Sequence, residues 1–287
     1  MKIHRFKVTV AICRKEYDDD ALLILPDSYN DNGEKTRLVI SCHGAGGTVT
    51  TDDSQVESQL LTSYLLSNGF AVLDVCGLPK KYADEEGIDL FNNIGSPIAV
   101  DCYCEGYKCC LEHFNLYSDV FVHGASMGGI SSTNLVLSDR VPTIAHTVFC
   151  PVLDTYNEIF LHPWSNGLPK IALGKLYGLD KDENGDYIYD ESKIYGYNPV
   201  NNPRIKSYPV PLKIWHCIDD DTVSFSVTEN YAETIKSNGG NVELVVFKNG
   251  GHEPQLVGPK VERPCGITDK PVTPAVDGVL EFIKKYS

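Results

Sequence analysis

The sequence predicts an α/β protein whose mostly parallel sheet is covered by helices on both faces. Three observations carry this reading. Apolar runs of strand length alternate with segments of helical spacing along most of the 287 residues, the pattern left by right-handed strand–helix–strand crossovers. Two of those apolar runs lead directly into glycine-rich turns, at 43–47 and 124–129, each followed by a helical segment. The composition, 42% hydrophobic and 22% charged, is that of a soluble globular chain and excludes disorder and low complexity. A chain of this length buries roughly three quarters of the surface it exposes when unfolded, so the fold needs no metal or disulfide staple.

The elements follow in order. Residues 3–13 and 21–26 read as an antiparallel pair, and 37–42 is a short apolar strand ending at His43-Gly44-Ala45-Gly46-Gly47. Residues 54–67 set Val56, Leu60, Leu61, Tyr64 and Leu65 at helical spacing, and Asn68-Gly69 stops that helix. After a strand at 70–75, Ser96-Pro97 supplies an N-cap and a first-turn proline for a helix reaching Phe114. Residues 119–122 form a strand that enters His123-Gly124-Ala125-Ser126-Met127-Gly128-Gly129, and a helix runs on to Leu137. A strand at 144–150, then strand, helix and strand at 209–217, 226–236 and 242–247, and a helix at 275–286 complete the alternation. One stretch, 152–208, breaks it. Rich in Tyr, Asn, Pro and Asp and weak in helical pattern, it reads as an insertion between two strands, a cap or lid lying over their C-terminal ends within one domain spanning 1–287.

Charge and cysteine usage narrow the function classes. Lys and Arg number 25 against 39 Asp and Glu, a net charge of −14. Nucleic-acid binders neutralise phosphates with clustered Lys and Arg, and this chain shows no such cluster; an anionic membrane surface is disfavoured on the same ground. No apolar run approaches the roughly 18 residues of a membrane span, and the first fifteen residues lack the apolar core and cleavage site of a secretory leader. The expectation is a cytoplasmic protein. Among the ten cysteines, Cys42, Cys76, Cys150 and Cys217 lie in or at the end of apolar runs and read as small buried hydrophobes. Cys102, Cys104, Cys109 and Cys110 crowd one helical stretch without a paired zinc spacing. Reduced thiols are expected, with no metal and no cofactor.

The chemistry concentrates at three strand ends. Gly124-Ala125-Ser126-Met127-Gly128 is a GxSxG element between an apolar strand and a helix, the context that gives the motif meaning. A serine on that sharp turn has the amides of the following helix aimed at any oxyanion formed on it. Its hydroxyl needs a base, and the base an orienting carboxylate. His252 follows the strand at 242–247 on a glycine-containing loop, and Asp220 follows the strand at 209–217, flanked by Asp219 and Asp221, of which Asp221 is the next choice. Asp154, after the strand at 144–150, is assigned to the insertion. The glycine-rich loop after 37–42 leaves backbone N–H groups free to approach a tetrahedral intermediate, which nominates the amides of Ala45 and Met127 as oxyanion donors. His43 reads as a structural hydrogen-bonding residue.

These residues together resemble the α/β-hydrolase serine esterases, of the carboxylesterase or acetyl-esterase kind. The likeness rests on His43 to Gly47, Gly124 to Gly128, His216 to Val223 and Gly251-His252, and covers nearly the whole chain, with 152–208 as the cap. It implies Ser126 as nucleophile and His252 as base. It also implies Asp220 as orienter, four residues after His216 and three before Val223, with Ala45 and Met127 at the oxyanion. Two positions depart from that pattern: Cys217 stands where relatives usually carry Gly, and Ser224 where many carry Pro. Residues 253–273 exceed what the fold requires.

Two further motifs bear on function. Residues 180–191 match the calcium-loop spacing D-x-D-x-N-G with Glu at position twelve. Asn184-Gly185 followed by Tyr187-Ile188-Tyr189 is equally a hairpin pattern, and no amphipathic helix follows, so the hairpin is expected. The insertion also carries Tyr156, Phe160, Trp164, Tyr177, Tyr187, Tyr189, Tyr195, Tyr197 and Tyr208 among polar residues, in place of the broad apolar surface that long acyl chains need. Aromatics with a polar handle stack on sugar rings, or simply pack the insertion onto the sheet. The expected activity is hydrolysis of a short-acyl ester, such as acetyl, on a small-molecule or carbohydrate alcohol. The alternatives are a serine peptidase of the prolyl-oligopeptidase type and a catalytically silent hydrolase fold used for binding.

Overall fold

The computed structural model describes residues 1–50, 54–162, 164–258 and 272–287. Among them, eight strands form one sheet in the order β1-β2-β4-β3-β5-β6-β7-β8. β1 (Lys2–Ile12) and β2 (Lys15–Leu25) make an antiparallel hairpin, and β2 lies antiparallel to β4 (Ala71–Val75). From β4 onward all pairing is parallel, through β3 (Thr36–Cys42), β5 (Leu116–Ala125), β6 (Thr143–Phe149), β7 (Leu212–Cys217) and β8 (Val242–Phe247).

Side-chain alternation decides which layer each strand residue feeds. Leu22, Val39, Val72 and Phe121 face α1 (Leu60–Ser67) and α8 (Pro274–Lys284), where Leu65, Tyr64, Val279 and Ile283 close one core. Their neighbours Leu23, Leu38, Leu73 and Val122 face the opposite layer. There α3 (Pro97–His113), α4 (Met127–Ser138) and α7 (Phe225–Ser237) contribute Tyr103, Leu135 and Tyr231. Burial on both faces is why β3 and β4 read as continuous apolar runs. Ser96 accepts from the Ala99 amide and Pro97 follows it, so α3 opens where its cap chemistry indicates.

Several boundaries differ from expectation, each for a local reason. β2 begins at Lys15 rather than 21, because the hairpin turns at Cys13-Arg14 with both φ positive, at 49° and 67°. Such primed turns normally carry Asn or Gly, so the sequence gives no turn signal there and Cys13 leaves the strand. Lys7–Asp20 and Thr9–Asp18 pair across the hairpin and account for the acidic run on its outer face. The helix expected over 54–67 is broken by an extended Gln59 into a short 3-10 turn (Val56–Ser58) and α1. A helix not anticipated, α2 (Lys80–Glu86), starts after Pro79 and ends at the left-handed Gly87, the Pro-before and Gly-after signature of a short helix.

The chain between β6 and β7 holds a π-helical turn (Thr155–Phe160), α5 (Leu168–Leu176), α6 (Glu191–Ile194) and, among the described residues, three 3-10 turns. Ile159, Leu173 and Ile194 bury against Met127, Ile130 and Val152, forming a third core around the start of α4. The twelve-residue acidic motif closes as a hairpin. Lys181 bridges Tyr187, Gly185 adopts φ 86°, Asp182 accepts from the amides of Asn184 and Asp186, and Asp190 caps α6. Part of the extra segment 253–273 lies outside the described residues. No described helix is long and apolar enough to cross a membrane, and the nine described cysteines are free thiols.

One buried carboxylate in the middle of β2 sets a pH-dependent cost. Asp19 is 1% exposed and accepts the Gly77 amide at 2.8 Å, while its second oxygen lacks a partner. Burial pushes its pKa up to about 7. The folded state therefore binds this proton more tightly than the unfolded chain, and the group's contribution to stability falls as pH rises from about 4 to 7. Asp19→Asn removes that decline. Urea unfolding at pH 5 and pH 8 should show the variant gaining on the wild type by a few kcal/mol, in order of magnitude, at the higher pH; equal differences at both pH values would refute it.

Candidate active site

Ser126 sits between β5 and α4 at φ 55° and ψ −123°, outside the regions that L-residues ordinarily occupy. Packing holds it there. A Cβ at Gly128 would collide with the carbonyl oxygens of Cys42 and His43, and one at Gly124 with the Gly128 carbonyl, so both glycines are needed for α4 to start this close to β3 and β5. The Ser126 amide donates to Phe149 O on β6, and its carbonyl accepts from Gly129 and Val152. Gly44 packs its Cα against the Ser126 side chain, the position a Cβ would fill lying 3.5 Å from Ser126 Cβ. The 43–47 loop is thereby set beside the serine. Met127 opens α4, so its N–H has no acceptor within its own helix.

His252 Nε2 lies 2.7 Å from Ser126 Oγ, and its Nδ1 lies 2.8 Å from Asp220 Oδ2. A carboxylate only accepts, so Nδ1 carries the proton and Nε2 is left to accept from the serine hydroxyl. Asp220 also receives His216 Nε2 at 3.1 Å on the same oxygen, and the amides of Thr222 and Val223, both at 2.9 Å, on the other. Burial alone would raise its pKa, yet the hydrogen bonds from His216 and His252 hold it well below the usual carboxylate range. The carboxylate thus stays ionised beneath the imidazole.

The three neighbouring aspartates take separate tasks. Asp219 binds the amides of Gly250 and Gly251 at 3.2 and 2.9 Å, bracing the loop that carries His252. Asp220 meets the imidazole, and Asp221 contacts Thr222 Oγ1 at the exposed end of the loop. Asp154 stays in the insertion, where it accepts from the amides of Tyr156 and Asn157 and caps the π-helical turn. Both departures from the hydrolase pattern are accommodated. The Cys217 thiol lies 2.8 Å from where a Cβ on Gly250 would sit, and Gly250 has φ 145°, so the bulk at 217 is absorbed by the absence of a side chain at 250. Ser224, unlike proline, has an N–H, and it donates to Glu158 Oε1 at 3.2 Å.

Two residues here were not singled out by sequence. His216 is buried, donates through Nε2 to Asp220, and receives Thr228 Oγ1 at Nδ1 at 2.9 Å; its place four residues before Asp220 was the available signal. Glu158 is 4% exposed and takes the amides of Leu153, Asp154 and Ser224, although burial pushes its pKa up to about 7. Through it the segment that braces the Ser126 carbonyl is tied to the loop that holds Asp220. No sequence pattern marks it. Behind the 43–47 loop, His43 Nδ1 lies 2.9 Å from Asp74, which also accepts from Tyr103 at 2.8 Å. Burial disfavours charge on His43, but Asp74 outweighs it and raises the pKa.

No family model and no curated protein matches the chain by sequence. Solved structures do match it. An acylaminoacyl peptidase bound to Z-Gly-Gly-Phe-chloromethyl ketone superposes at TM-score 0.65 and 16% identity over 90% of this chain. A putative dipeptidyl aminopeptidase IV from Bacteroides ovatus gives 0.64 and 17% over 99%, and a Mycobacterium tuberculosis puromycin-hydrolyzing peptidase 0.65 and 16% over 87%. The fold is that of the α/β-hydrolases. This chain spans 38%, 35% and 36% of those three proteins' lengths.

Two expected outcomes test the geometry. Labelling of Ser126 by a fluorophosphonate should slow by about 10³–10⁴ in Asp220→Asn, which leaves the imidazole in the wrong tautomer. The same rate should fall by only about tenfold in Asp219→Asn, which weakens one amide brace, and stay unchanged in Asp221→Asn. A slower Asp221→Asn than Asp220→Asn would contradict the hydrogen bonds above. Glu158→Gln replaces an acceptor oxygen with an NH₂ facing a backbone N–H and should cost about 1–3 kcal/mol in thermal unfolding, together with a slower labelling rate. A variant as stable and as reactive as the wild type would show that the clamp carries nothing.

Proposed function

We propose that the chain is a serine hydrolase that cleaves short-acyl esters of a polar alcohol through an acyl-enzyme on Ser126. The observation that supports this is the unbroken relay Ser126 Oγ–His252 Nε2 and His252 Nδ1–Asp220 at the C-terminal ends of β5, β7 and β8, where open α/β sheets bind ligands. His252 takes the serine proton as Oγ attacks the carbonyl carbon. The N–H groups of Ala45 and Met127 receive the developing oxyanion. Collapse expels the alcohol, protonated by the imidazolium, and water activated by His252 then releases the acid and restores the serine.

The short-acyl preference is supported by how the chain packs beside the serine. Met127, the residue after the serine, packs with Val152 and Val223 in the third core, all at 1% exposure or less. The insertion's aromatics are partly spent on packing: Tyr208 is buried with the sheet, and Tyr187, Tyr189 and Tyr197 pack against the third core. Tyr156, 40% exposed, stacks on Phe160, while Tyr195, 68% exposed, is the residue on which a sugar would stack. A second reading, cleavage of an acyl or aminoacyl amide, is supported by the names of the similar structures, which are peptidases.

Ser126→Ala and His252→Ala should each lower turnover of p-nitrophenyl acetate by several orders of magnitude without changing the far-UV spectrum; Ser126→Ala retaining more than a few per cent would end the assignment. The substrate class is read from one panel of p-nitrophenyl esters from acetate through octanoate to laurate, acetylated sugars, and acylaminoacyl and aminoacyl p-nitroanilides. Highest kcat/KM on acetyl esters is the expected result. A preference for the anilides would replace it with the peptidase reading, and a rise beyond octanoate would refute both the short-acyl claim and its packing argument.

A further inference from the structure

Cys150 lies one residue beyond β6, so three adjacent strand ends deliver a thiol, a carboxylate and an imidazole to one place. The ligand atoms of Cys150, Asp220 and His252 all lie within 4.8 Å of one another, the one such grouping of three His, Cys, Asp or Glu among the described residues. We propose that Cys150, Asp220 and His252 bind a thiophilic divalent metal ion such as Zn²⁺, and that its binding switches Ser126 off. The inhibitory half rests on the hydrolase reading above; the binding half does not.

The donor set is that of a borderline-soft ion: thiolate, imidazole and carboxylate, with a fourth position left for water, the composition of an open tetrahedral zinc site. Zinc bonds of about 2.0–2.3 Å place tetrahedral ligands roughly 3.3–3.7 Å apart. Asp220 Oδ2 and His252 Nδ1 are now 2.8 Å apart, so the ion enters by widening that pair while the thiol rotates inward. The thiol's present contact, to the carbonyl oxygen of His252 at 3.3 Å, is a weak hydrogen bond to give up. Asp220 is already oriented by His216 and the amides of Thr222 and Val223, the outer support that metal ligands require. His252, a quarter exposed where Asp220 is fully buried, gives the ion its way in from solvent.

The balance of protons explains the inhibition. The Cys150 thiol loses its proton to water and forms the metal–sulfur bond. The proton on His252 Nδ1 moves to Nε2, and the freed Nδ1 lone pair bonds the metal. With Nε2 protonated, the imidazole no longer accepts from Ser126 Oγ, and the serine loses its base. Hard ions such as Mg²⁺ and Ca²⁺, which prefer oxygen ligands, do not compete for the thiolate.

The test uses Co²⁺ and Zn²⁺ on the full chain with the thiols kept reduced by a non-coordinating phosphine. Co²⁺ should produce a thiolate-to-cobalt charge-transfer band, displaced stoichiometrically by Zn²⁺ and absent in Cys150→Ser and Cys150→Ala. Zn²⁺ should slow fluorophosphonate labelling of the wild type at least ~10-fold, reversibly with EDTA, while Mg²⁺ and Ca²⁺ leave it unchanged. Either Cys150 variant should label at the wild-type rate without metal and lose the zinc effect; Zn²⁺ should also protect Cys150 of the wild type from alkylation, a readout that needs no variant. Zinc inhibition undiminished in both variants, or no charge-transfer band in the wild type, overturns the proposal. Failure of metal-free wild type to label at all would instead count against the hydrolase reading, with the cobalt band still deciding whether the site binds metal.

Discussion

The turn at Ser126 exists because α4 begins in contact with the end of β3. At φ 55° and ψ −123° the serine backbone is strained, on the order of 1–3 kcal/mol, and relaxes unless the residues on each side are locked. They are locked by two missing side chains: Gly128 lets the first turn of α4 rest on the carbonyls of Cys42 and His43, and Gly124 lets β5 pass under Gly128. The same contact sets the start of α4 beside the 43–47 loop, so the strained turn and the placing of that loop are consequences of one packing arrangement. Buried Met127, Ile130 and Val152 in the third core hold it closed.

Behind that loop the protein buries polar groups where a hydrophobic core would be cheaper. His43, Asp74 and Tyr103 are all within 1% exposure and bonded in series, while Asp19, equally buried, accepts the Gly77 amide. Hydrogen bonds buried in series restrain the side chains that make them, and restraint is what a loop of small residues lacks on its own. His43 is thus the side chain that anchors 43–47 to the sheet, in keeping with a structural role.

On the other side of the serine, electrostatics gathers at one carboxylate. Asp220 accepts four hydrogen bonds, from two histidines and two amides, which keeps it charged despite burial. Its neighbour Asp219 fixes the glycine loop that presents His252, and Glu158 draws the far end of the acid loop against the segment leaving β6. Three loops that follow three different strands are therefore tied to one another. The Cys150 thiol lies among them, in contact with the carbonyl oxygen of His252.

What the sequence alone determined was whatever is written locally. The order of strands and helices, the start of α3 at Ser96-Pro97, the sharp serine turn at 124–128 and the loop position of His252 follow from periodicity, caps and glycine punctuation, all of which act within a few residues. Where local chemistry was silent the reading failed: the Cys13-Arg14 turn carries no turn residue, and Gln59 interrupts a helix whose apolar spacing continues through it. The tertiary structure decided the rest. Which of Asp219, Asp220 and Asp221 meets the imidazole depends on how β7 and β8 lie side by side, and the hairpin at 180–191 is settled by carboxylates turning onto their own backbone. Glu158 reaches Ser224 across 66 positions, and no pattern near either residue records a bond formed only when the insertion closes over the sheet. Groups that act together by converging in space from distant segments leave no periodic trace, because each is chosen by a partner outside its own stretch of chain.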